Sequence, residues 1–309
     1  MADASAPSGQ AAGRPGLTGL RQKAPDPLKR IGRAAYLWSA RPTAAARLTP
    51  DFIVAGVQRG GTTSLFRALL QHPQAVRPTF HKGTDYFSQN YRRGEGWYRS
   101  HFPLRFIAAR RRSQPPITFE SCEYYLFHPL AAGRIAADLP RAKIVVMLRD
   151  PVERAYSAYE HERARGYDDR SFEQALAEED ELVEADLAKM ATGEIDDSYA
   201  CRHYAYRHRG DYVTQLERLF ASVPRDQVLV LQSEEFFANP ESVFERLTRF
   251  VGLQPVMPSS FDQHNARPRA EMSQAARARL VRFAKDQGPR LESLIGQELR
   301  WESLRSTDT

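Results

Sequence analysis

Four apolar runs along the chain have the length and continuity of β-strands. They read FIVAGV from Phe52, ITFE from Ile117, KIVVMLR from Lys143 and QVLVLQ from Gln227. Each run is almost continuously apolar and does not alternate with polar residues, which is typical of parallel strands buried on both faces. Helical patterns lie between the runs. The sequence therefore predicts a P-loop-like α/β fold in three layers, α/β/α, around a central and mostly parallel sheet.

Two helices are predicted from the residues that begin them. Asp150 and Pro151 precede the stretch VERAYSAYEHERA, and Asn239 and Pro240 precede ESVFERLTRFVG. Asp or Asn suits the N-cap position, and proline suits the first helical position because its missing N–H would have no intrahelical partner there. We therefore expect a helix to begin at each of these pairs.

The segment 168–197 has twelve acidic residues against two basic ones. Within it Phe172, Leu176, Val183 and Leu187 lie near helical spacing, which predicts a helix. An acidic block of this kind is usually a solvated helix face. The alternative is that its acidic residues form a lip beside an acceptor site and favour cationic or neutral acceptors.

The positive charge of the chain is concentrated near its start. The 309 residues have a formal net charge of +6 and a pI of about 9.4. Residues 1–50 contain eight cations and two anions, a balance of +6, so residues 51–309 are formally neutral. A nucleic-acid surface would need a basic stripe on the folded part of the chain. No nucleic-acid partner is therefore expected.

Composition also predicts the domain organisation. Ala, Gly, Pro and Ser dominate the chain up to about residue 27. We expect residues 1–47 to be a largely disordered basic leader, with a short helix over LKRIGRAAYLW, and residues 48–309 to be the folded domain. A weak contact with an anionic surface is the alternative role for the leader.

The sequence predicts a soluble protein of the cytoplasm. The first residues contain no apolar signal-peptide core, and no apolar run approaches the length of about 20 residues that spans a bilayer. The two cysteines, Cys122 and Cys201, give neither a disulfide framework nor the spacing of metal ligands. The abundance of Arg and Ala with little Lys suggests a bacterial source.

The stretch FIVAGVQRGGTTSL has the outline of a strand, a glycine-rich turn and a helix start. Gly56, Gly61 and Thr63 keep the length of a Walker A loop and its final hydroxyl, but Thr62 replaces the lysine that reaches the β- and γ-phosphates. A cation, Arg59, lies inside the turn instead. The free N–H groups of a helix N-terminus still favour an anion. A P-loop kinase remains the alternative, although no Walker B aspartate is evident.

A second segment, Lys143 to Tyr159, repeats the strand-to-helix arrangement. Its strand ends in Arg149, and Ser157 lies early in the helix that follows. The planar fork of an arginine can pair with two phosphate oxygens. Alternatively, Arg149 pairs with a neighbouring carboxylate, Asp150 or Glu153. Two anion sites on two such turns suggest a nucleotide that carries phosphate at both ends of its ribose.

These two segments resemble the paired signatures of sulfotransferases that use 3′-phosphoadenosine 5′-phosphosulfate (PAPS), particularly those of heparan sulfate. The resemblance covers roughly residues 48–302, with its motifs in the family's order. The further stretches that carry it are HKGTDYFSQNYRRGEGWYRSHFP, FESCEYYLFHP, YRHRGDYVTQLERL, SEEFFANP and LIGQELRW. It implies the sulfotransferase fold and transfer of a sulfuryl group from PAPS to a hydroxyl or amine, with release of 3′,5′-ADP. It implies no metal.

The resemblance also implies roles at the nucleotide site. Arg59 would neutralise the departing 5′-phosphate, and Arg149 with Ser157 would bind the 3′-phosphate. The residues that it implies for the 5′-phosphosulfate end are Gly60, Gly61, Thr62, Thr63 and Ser64. Those implied for further nucleotide contacts are Tyr206, Arg209, Gly210 and, in the stretch NARPRAEM, Arg267 with Arg269.

The general base is left open between two carboxylates. Relatives that act on heparan sulfate have a glutamate where this chain has Gly83. Asp85 occupies a position that is often histidine, and Glu120 matches the glutamate of the family's G-E-x-S-P element. Lys82 would steady the sulfuryl oxygens. The acceptor is a carbohydrate, lipid or secondary metabolite, and the sequence indicates neither which one nor the oligomeric state.

Overall fold

Five parallel strands form the central sheet of the computed structural model, which describes residues 26–262 and 271–305. The strands are β1 (Phe52–Gly56), β2 (Ala75–Val76), β3 (Ile117–Ser121), β4 (Lys143–Leu148) and β5 (Val228–Gln232). Four of them are the predicted apolar runs. The fifth, β2, has only two residues, too few for any periodicity to reveal it.

The sheet order is β2-β3-β1-β4-β5. β1 therefore pairs with β3 on one side and with β4 on the other, with Phe52 opposite both Phe119 and Lys143. Because every pair is parallel, the strands end at the same edge of the sheet. The predicted loop after β1 and the predicted arginine after β4 consequently lie side by side.

Helices cover both faces of the sheet. Successive residues of β1 point to opposite sides, so Phe52 and Val54 enter one apolar core while Ile53 and Ala55 enter the other. This arrangement confirms the predicted three-layer α/β/α fold. The helices are α1 (Asp26–Ala40), α2 (Thr62–Leu70), α3 (Glu95–Arg99), α4 (Arg105–Arg110), α5 (Ala131–Asp138), α6 (Pro151–Ala164), α7 (Phe172–Thr192), α8 (Tyr199–His203), α9 (Tyr212–Ser222), α10 (Ser233–Ala238), α11 (Pro240–Val251), α12 (Gln274–Ile295) and α13 (Glu302–Arg305).

Both predicted helix starts are present, but only one has the expected side-chain cap. The carboxylate of Asp150 accepts a hydrogen bond from the N–H of Val152 at 2.9 Å, and Pro151 begins α6. Pro240 likewise begins α11, yet Asn239 makes no side-chain cap bond. The proline alone thus marks that start, because its fixed φ suits the first turn of a helix.

Part of the expected leader is helical and packs on the domain. Residues 26–40 form α1, and a short 3-10 helix follows over Arg41–Ala46. The ring of Tyr36 meets that of Phe80 edge-on at 5.1 Å, and Arg47 Nη1 donates to the carbonyl oxygen of Phe102. The short helix expected over LKRIGRAAYLW lies within α1.

The acidic segment contains α7, in which Phe172, Leu176 and Val183 are buried as the spacing predicts, while Leu187 is half-buried. Two acids of the segment, Asp168 and Glu179, are buried and depart from the solvated pattern. Glu179 is fully buried and accepts hydrogen bonds from the backbone N–H groups of Arg207 and His208 at 2.8 and 2.7 Å. It fixes the turn before α9, because a buried carboxylate needs such donors.

No helix within the described residues combines the length and the apolar character that crossing a bilayer requires. Cys122 and Cys201 are buried and free.

Candidate active site

The turn after β1 is shaped by close approach of the neighbouring strand. A Cβ added to Gly60 would lie 2.6 Å from the main-chain oxygen of Met147 and 2.7 Å from a methyl carbon of Val57. Gly61 has a φ of 87°, which favours glycine. Any side chain at position 60 would push the loop away from β4. These two glycines therefore set the path of the loop into α2.

Arg59 lies in this turn with a φ of 66°, an uncommon backbone region for a residue with a side chain. Its Nε donates to Ser157 Oγ in α6 at 2.9 Å. Its main-chain oxygen accepts from Nη1 of Arg149 at 2.9 Å. The structure thus brings together the residues predicted to bind the two phosphates, and both guanidinium groups lie at the same edge of the sheet.

Hydrogen bonds from other elements hold the main chain at Arg149 and Asp150 in place. The hydroxyl of Tyr212 donates to its main-chain oxygen at 2.8 Å. The next residue, Asp150, turns its carboxylate to the N–H groups of Val152 and Ser303, and burial raises the pKa of that carboxyl. The alternative of an Arg149–Asp150 pair is therefore not favoured, since Asp150 serves as a helix cap.

The start of α2 supplies the other predicted phosphate ligands. Thr62 and Ser64 are buried at its first turn, while Thr63 is half-buried. The first N–H groups of a helix have no intrahelical acceptor and carry the positive end of its dipole. This turn can therefore hold an anion beside Arg59.

A polar network that sequence reasoning missed joins the loop to α6 and α8. Gln58 Nε2 donates to Glu162 Oε1 at 3.2 Å, and Glu162 Oε2 accepts from His203 Nδ1 at 2.7 Å. Arg209 Nη1 donates to Gln58 Oε1 at 2.6 Å. The sequence had indicated only Arg209 of this network, as a nucleotide contact, because the partners of Gln58 are distant in the chain.

Of the other predicted nucleotide contacts that the structure describes, one lies at the cleft and two do not. Arg209 lines the cleft beside Gln58. Tyr206 is buried and donates its hydroxyl to Asp168 at 2.8 Å. The main-chain oxygen of Gly210 accepts from the Gln287 amide at 2.9 Å. Tyr206 and Gly210 thus have structural partners away from the cleft. Arg267 and Arg269 lie outside the described residues.

A cleft of about 320 Å³ runs from the loop to the segment after β2. Gln58 lines one end, and Lys82, Gly83 and Asp85 line the other. A Cβ on Gly83 would lie 2.4 Å from the main-chain oxygen of Ser121, so the backbone leaves no room for a side chain there. A glutamate at this position would therefore clash with the main chain of β3.

The two candidate bases have opposite environments. Asp85 is half-buried in the wall of the cleft, where its Oδ1 accepts from Cys122 Sγ at 2.9 Å. Glu120 is fully buried and does not line the cleft. Its oxygens accept from Thr84 Oγ1 at 2.9 Å and from the hydroxyl of Tyr98 at 2.8 Å. Burial raises the pKa of Glu120 to about 7, although these hydrogen bonds oppose the shift.

Lys82 is paired with a carboxylate in the cleft. Its Nζ lies 2.7 Å from Glu123 Oε2. Burial would raise the pKa of Glu123, but the ammonium group more than offsets this and holds the pKa below its usual range. Glu123 stands where the family has proline. The Lys82–Glu123 ion pair is therefore a feature of this chain that the match to the family motif does not reveal.

The aromatic residues near the cleft belong mainly to the core, as expected. Tyr86 and Tyr98 stack at 4.4 Å between ring centroids, and Phe87 and Phe102 meet Tyr98 edge-on. Trp301 is fully buried. Two histidines lie near the cleft. His101 is buried, whereas His81 is exposed at the rim of the cleft, where partial burial and the charge of Arg33 lower the pKa of His81.

Comparison with known proteins identifies the family. Residues 49–280, three quarters of the chain, match the sulfotransferase domain model. The chain belongs to the sulfotransferase family. The match confirms the resemblance and agrees with the predicted enzyme class; it does not favour the kinase alternative.

The relatives of this sulfotransferase chain come from animals and bacteria. It is 30% identical over 228 residues to the bifunctional heparan sulfate N-deacetylase/N-sulfotransferase 2 of Bos taurus, covering 72% of this chain and 24% of that protein. It is also 30% identical to the corresponding protein of Drosophila melanogaster, covering 67% of this chain and 20% of the relative. The chain therefore spans about a quarter of the length of the curated relatives it matches. The crystal structure of a sulfotransferase from Alicyclobacillus acidocaldarius matches with a TM-score of 0.62 at 28% identity, covering 84% of this chain and all of that one.

Proposed function

We propose that this chain transfers a sulfuryl group from PAPS to a hydroxyl or amine of an acceptor and releases 3′,5′-ADP. The observation that carries the proposal is the cluster of Arg59, Arg149 and Ser157, joined by two hydrogen bonds of 2.9 Å at the ends of β1 and β4. A nucleotide with a phosphate on each side of its ribose matches two adjacent cationic sites better than a linear triphosphate does.

The residues present fit such a donor. Gly60 lets the loop pass close to β4, and the first turn of α2 offers N–H groups and hydroxyls for the 5′-phosphosulfate end. Arg149 and Ser157 are the ligands we propose for the 3′-phosphate. When bound, PAPS supplies the sulfuryl group. Arg59 would stabilise the charge that develops on the departing 5′-phosphate, as donors in an oxyanion hole do.

We propose Asp85 as the general base. It is a carboxylate in the wall of the cleft that also contains Gln58 of the loop, whereas Glu120 has no route to an acceptor. In the step, the acceptor oxygen or nitrogen forms a bond to sulfur and the bond between sulfur and the 5′-phosphate oxygen breaks. The acceptor's proton passes to Asp85. Lys82 lines the same cleft as Asp85, where its ammonium pairs with Glu123, and it can face the sulfuryl oxygens.

For the acceptor, the names of the relatives suggest an amino sugar in a glycan. We propose a saccharide as the first class to test, and de-N-sulfated heparan sulfate as the first probe. We also propose a cytoplasmic location, since the thiols of Cys122 and Cys201 are both free, as is usual where thiols are kept reduced.

Nucleotide binding provides the first test. A ligand that binds only the native state raises Tm, so 3′,5′-ADP should raise Tm well above the effect of ATP with Mg²⁺. The opposite order would favour a kinase and refute the proposal.

Transfer of radiolabelled sulfate from PAPS to the glycan provides the second test. Asp85→Asn should lower kcat about 10²- to 10⁴-fold while 3′,5′-ADP still raises Tm as in the wild type. Glu120→Gln is the matched control, because it removes the other candidate carboxylate, and its kcat should stay within about threefold of the wild type. If the two variants exchanged these results, Glu120 would be the base.

A further inference from the structure

A second cleft, of about 640 Å³, lies beside the first. Helix α1 forms one wall and the segment 80–101 forms the other; we call this cleft the α1 groove. His81, Gly83 and Asp85 line both clefts. The α1 groove therefore opens directly onto the carboxylate that we propose as the base, on the side away from the nucleotide loop.

The α1 groove is strongly cationic. Four arginines line it, and Asp85 is the one acidic side chain among its described lining residues. The four are Arg30, Arg33, Arg41 and Arg93. In the part of the chain that the structure describes, none of them forms a salt bridge with a carboxylate. Three are exposed, while Arg33 is half-buried and donates to His81 at 2.9 Å. This unneutralised charge faces the groove and favours an anion.

Two tryptophans add flat apolar surfaces to the same groove. Trp38 of α1 is 76% exposed, which is unusual for so large an apolar side chain. Trp97 is half-buried on the opposite wall, with the guanidinium of Arg93 lying 5.2 Å from its ring centroid. Arginines beside exposed aromatic rings suit a ligand that combines negative charge with the apolar face of a ring, as an acidic saccharide does.

We propose that the α1 groove binds the anionic part of the acceptor, a carboxylate- or sulfate-bearing saccharide, next to the unit that receives the sulfuryl group. The inference rests on the proposed function and adds a specificity determinant to it. Helix α1 lies before residue 49, where the match to the family domain begins. Acceptor choice would thus depend on residues that the shared domain does not contain.

Tryptophan fluorescence gives a direct test, because two of the three tryptophans of the chain line the groove and the third, Trp301, is fully buried. The ligand is a heparin tetrasaccharide, and the comparison ligands are the same tetrasaccharide with its sulfates removed and carboxylates reduced, and vesicles of phosphatidylserine. The variants are Arg30→Ala/Arg41→Ala in the groove and, as a control of equal charge change, Arg110→Ala/Arg111→Ala elsewhere on the exposed surface.

We expect the acidic tetrasaccharide to change the fluorescence of the wild type and of the control variant with similar Kd. The groove variant should bind it at least tenfold more weakly, and the neutral tetrasaccharide should bind poorly to all three proteins. No binding of the acidic ligand, equal binding by both variants, equal binding of the neutral ligand, or a response to vesicles alone would each overturn the proposal. The Tm shift with 3′,5′-ADP, measured on the same samples, shows separately whether the proposed function holds and whether each variant is folded.

Discussion

Glu120→Gln should change how the stability of the protein depends on pH. The carboxyl of Glu120 is fully buried among Thr84, Tyr98 and Tyr125, and its pKa rises from 4.5 to about 7. One of its oxygens accepts from Thr84, and the other accepts from the two tyrosine hydroxyls. A glutamine keeps an acceptor toward Thr84, and its amide can donate to tyrosine oxygens whose hydroxyls have rotated. The variant is therefore close to isosteric, but its side chain carries no titratable proton.

The magnitude follows from the shift in the pKa of Glu120. In the unfolded chain this carboxyl loses its proton near pH 4.5, whereas in the folded protein it keeps the proton up to about pH 7. The stabilisation is therefore complete below pH 4.5 and is lost as the pH rises through 7. A shift of this size corresponds to about 3 kcal/mol, of which about 2.5 kcal/mol is lost between pH 5 and pH 8.

The assay is urea unfolding of the wild type and the variant at pH 5, 6, 7 and 8. Subtracting the two free energies of unfolding removes the contribution of groups whose titration the substitution leaves unchanged. The variant should gain about 2.5 kcal/mol relative to the wild type between pH 5 and pH 8. A difference that is flat across this range would refute the reasoning, because it would mean that folding leaves the pKa of Glu120 unchanged.

Three further substitutions test the rest of the site. Arg149→Ala should raise the Kd for 3′,5′-ADP by about 10- to 100-fold, the effect of losing one charged hydrogen-bonding group, and an unchanged Kd in calorimetry would contradict its assignment to the 3′-phosphate. Gly60→Ala should lower both stability and nucleotide affinity, since its Cβ would lie 2.6 Å from the oxygen of Met147; Gly96→Ala, with nothing within 4 Å, is the control in the same melting experiment. Asp150→Ala should lower the free energy of unfolding by about 1–2 kcal/mol through loss of the helix cap, which urea titration would detect.

The sheet could be predicted from the sequence because its strands are buried on both faces, and the apolar runs at β1 and β4 therefore carry their own signal. Their pairing could also be anticipated, since the runs end in glycine-rich and arginine-bearing turns that a parallel sheet brings to one edge. Asp150 was recognisable as a cap because capping depends on residues close in sequence. Asn239 shows the limit of this reasoning, because the same local pattern can form without the side-chain bond.

The surroundings of Glu120 and Gly83 were less predictable, because their contacts join residues that are far apart in the sequence. Nothing near Glu120 in the sequence shows that Tyr98 and Thr84 enclose it, and nothing near Gly83 shows that the oxygen of Ser121 excludes a side chain there. The packing of α1 against residue 80 was also hidden, although the sequence predicted a short helix there. In each case the decisive neighbour lies on another element and only the tertiary structure supplies it.

The hydrogen bond from Arg149 to the main-chain oxygen of Arg59 links the two proposed phosphate sites directly. The guanidinium of Arg149, proposed to bind the 3′-phosphate, also hydrogen-bonds the main chain of Arg59, whose side chain is proposed to face the 5′-phosphate. A shift at the end of β4 would therefore be transmitted to the turn after β1 without any change in the turn's own residues. If the proposed sites are right, nucleotide recognition is a joint property of two adjacent strands, and a substitution at either strand end should affect both sites.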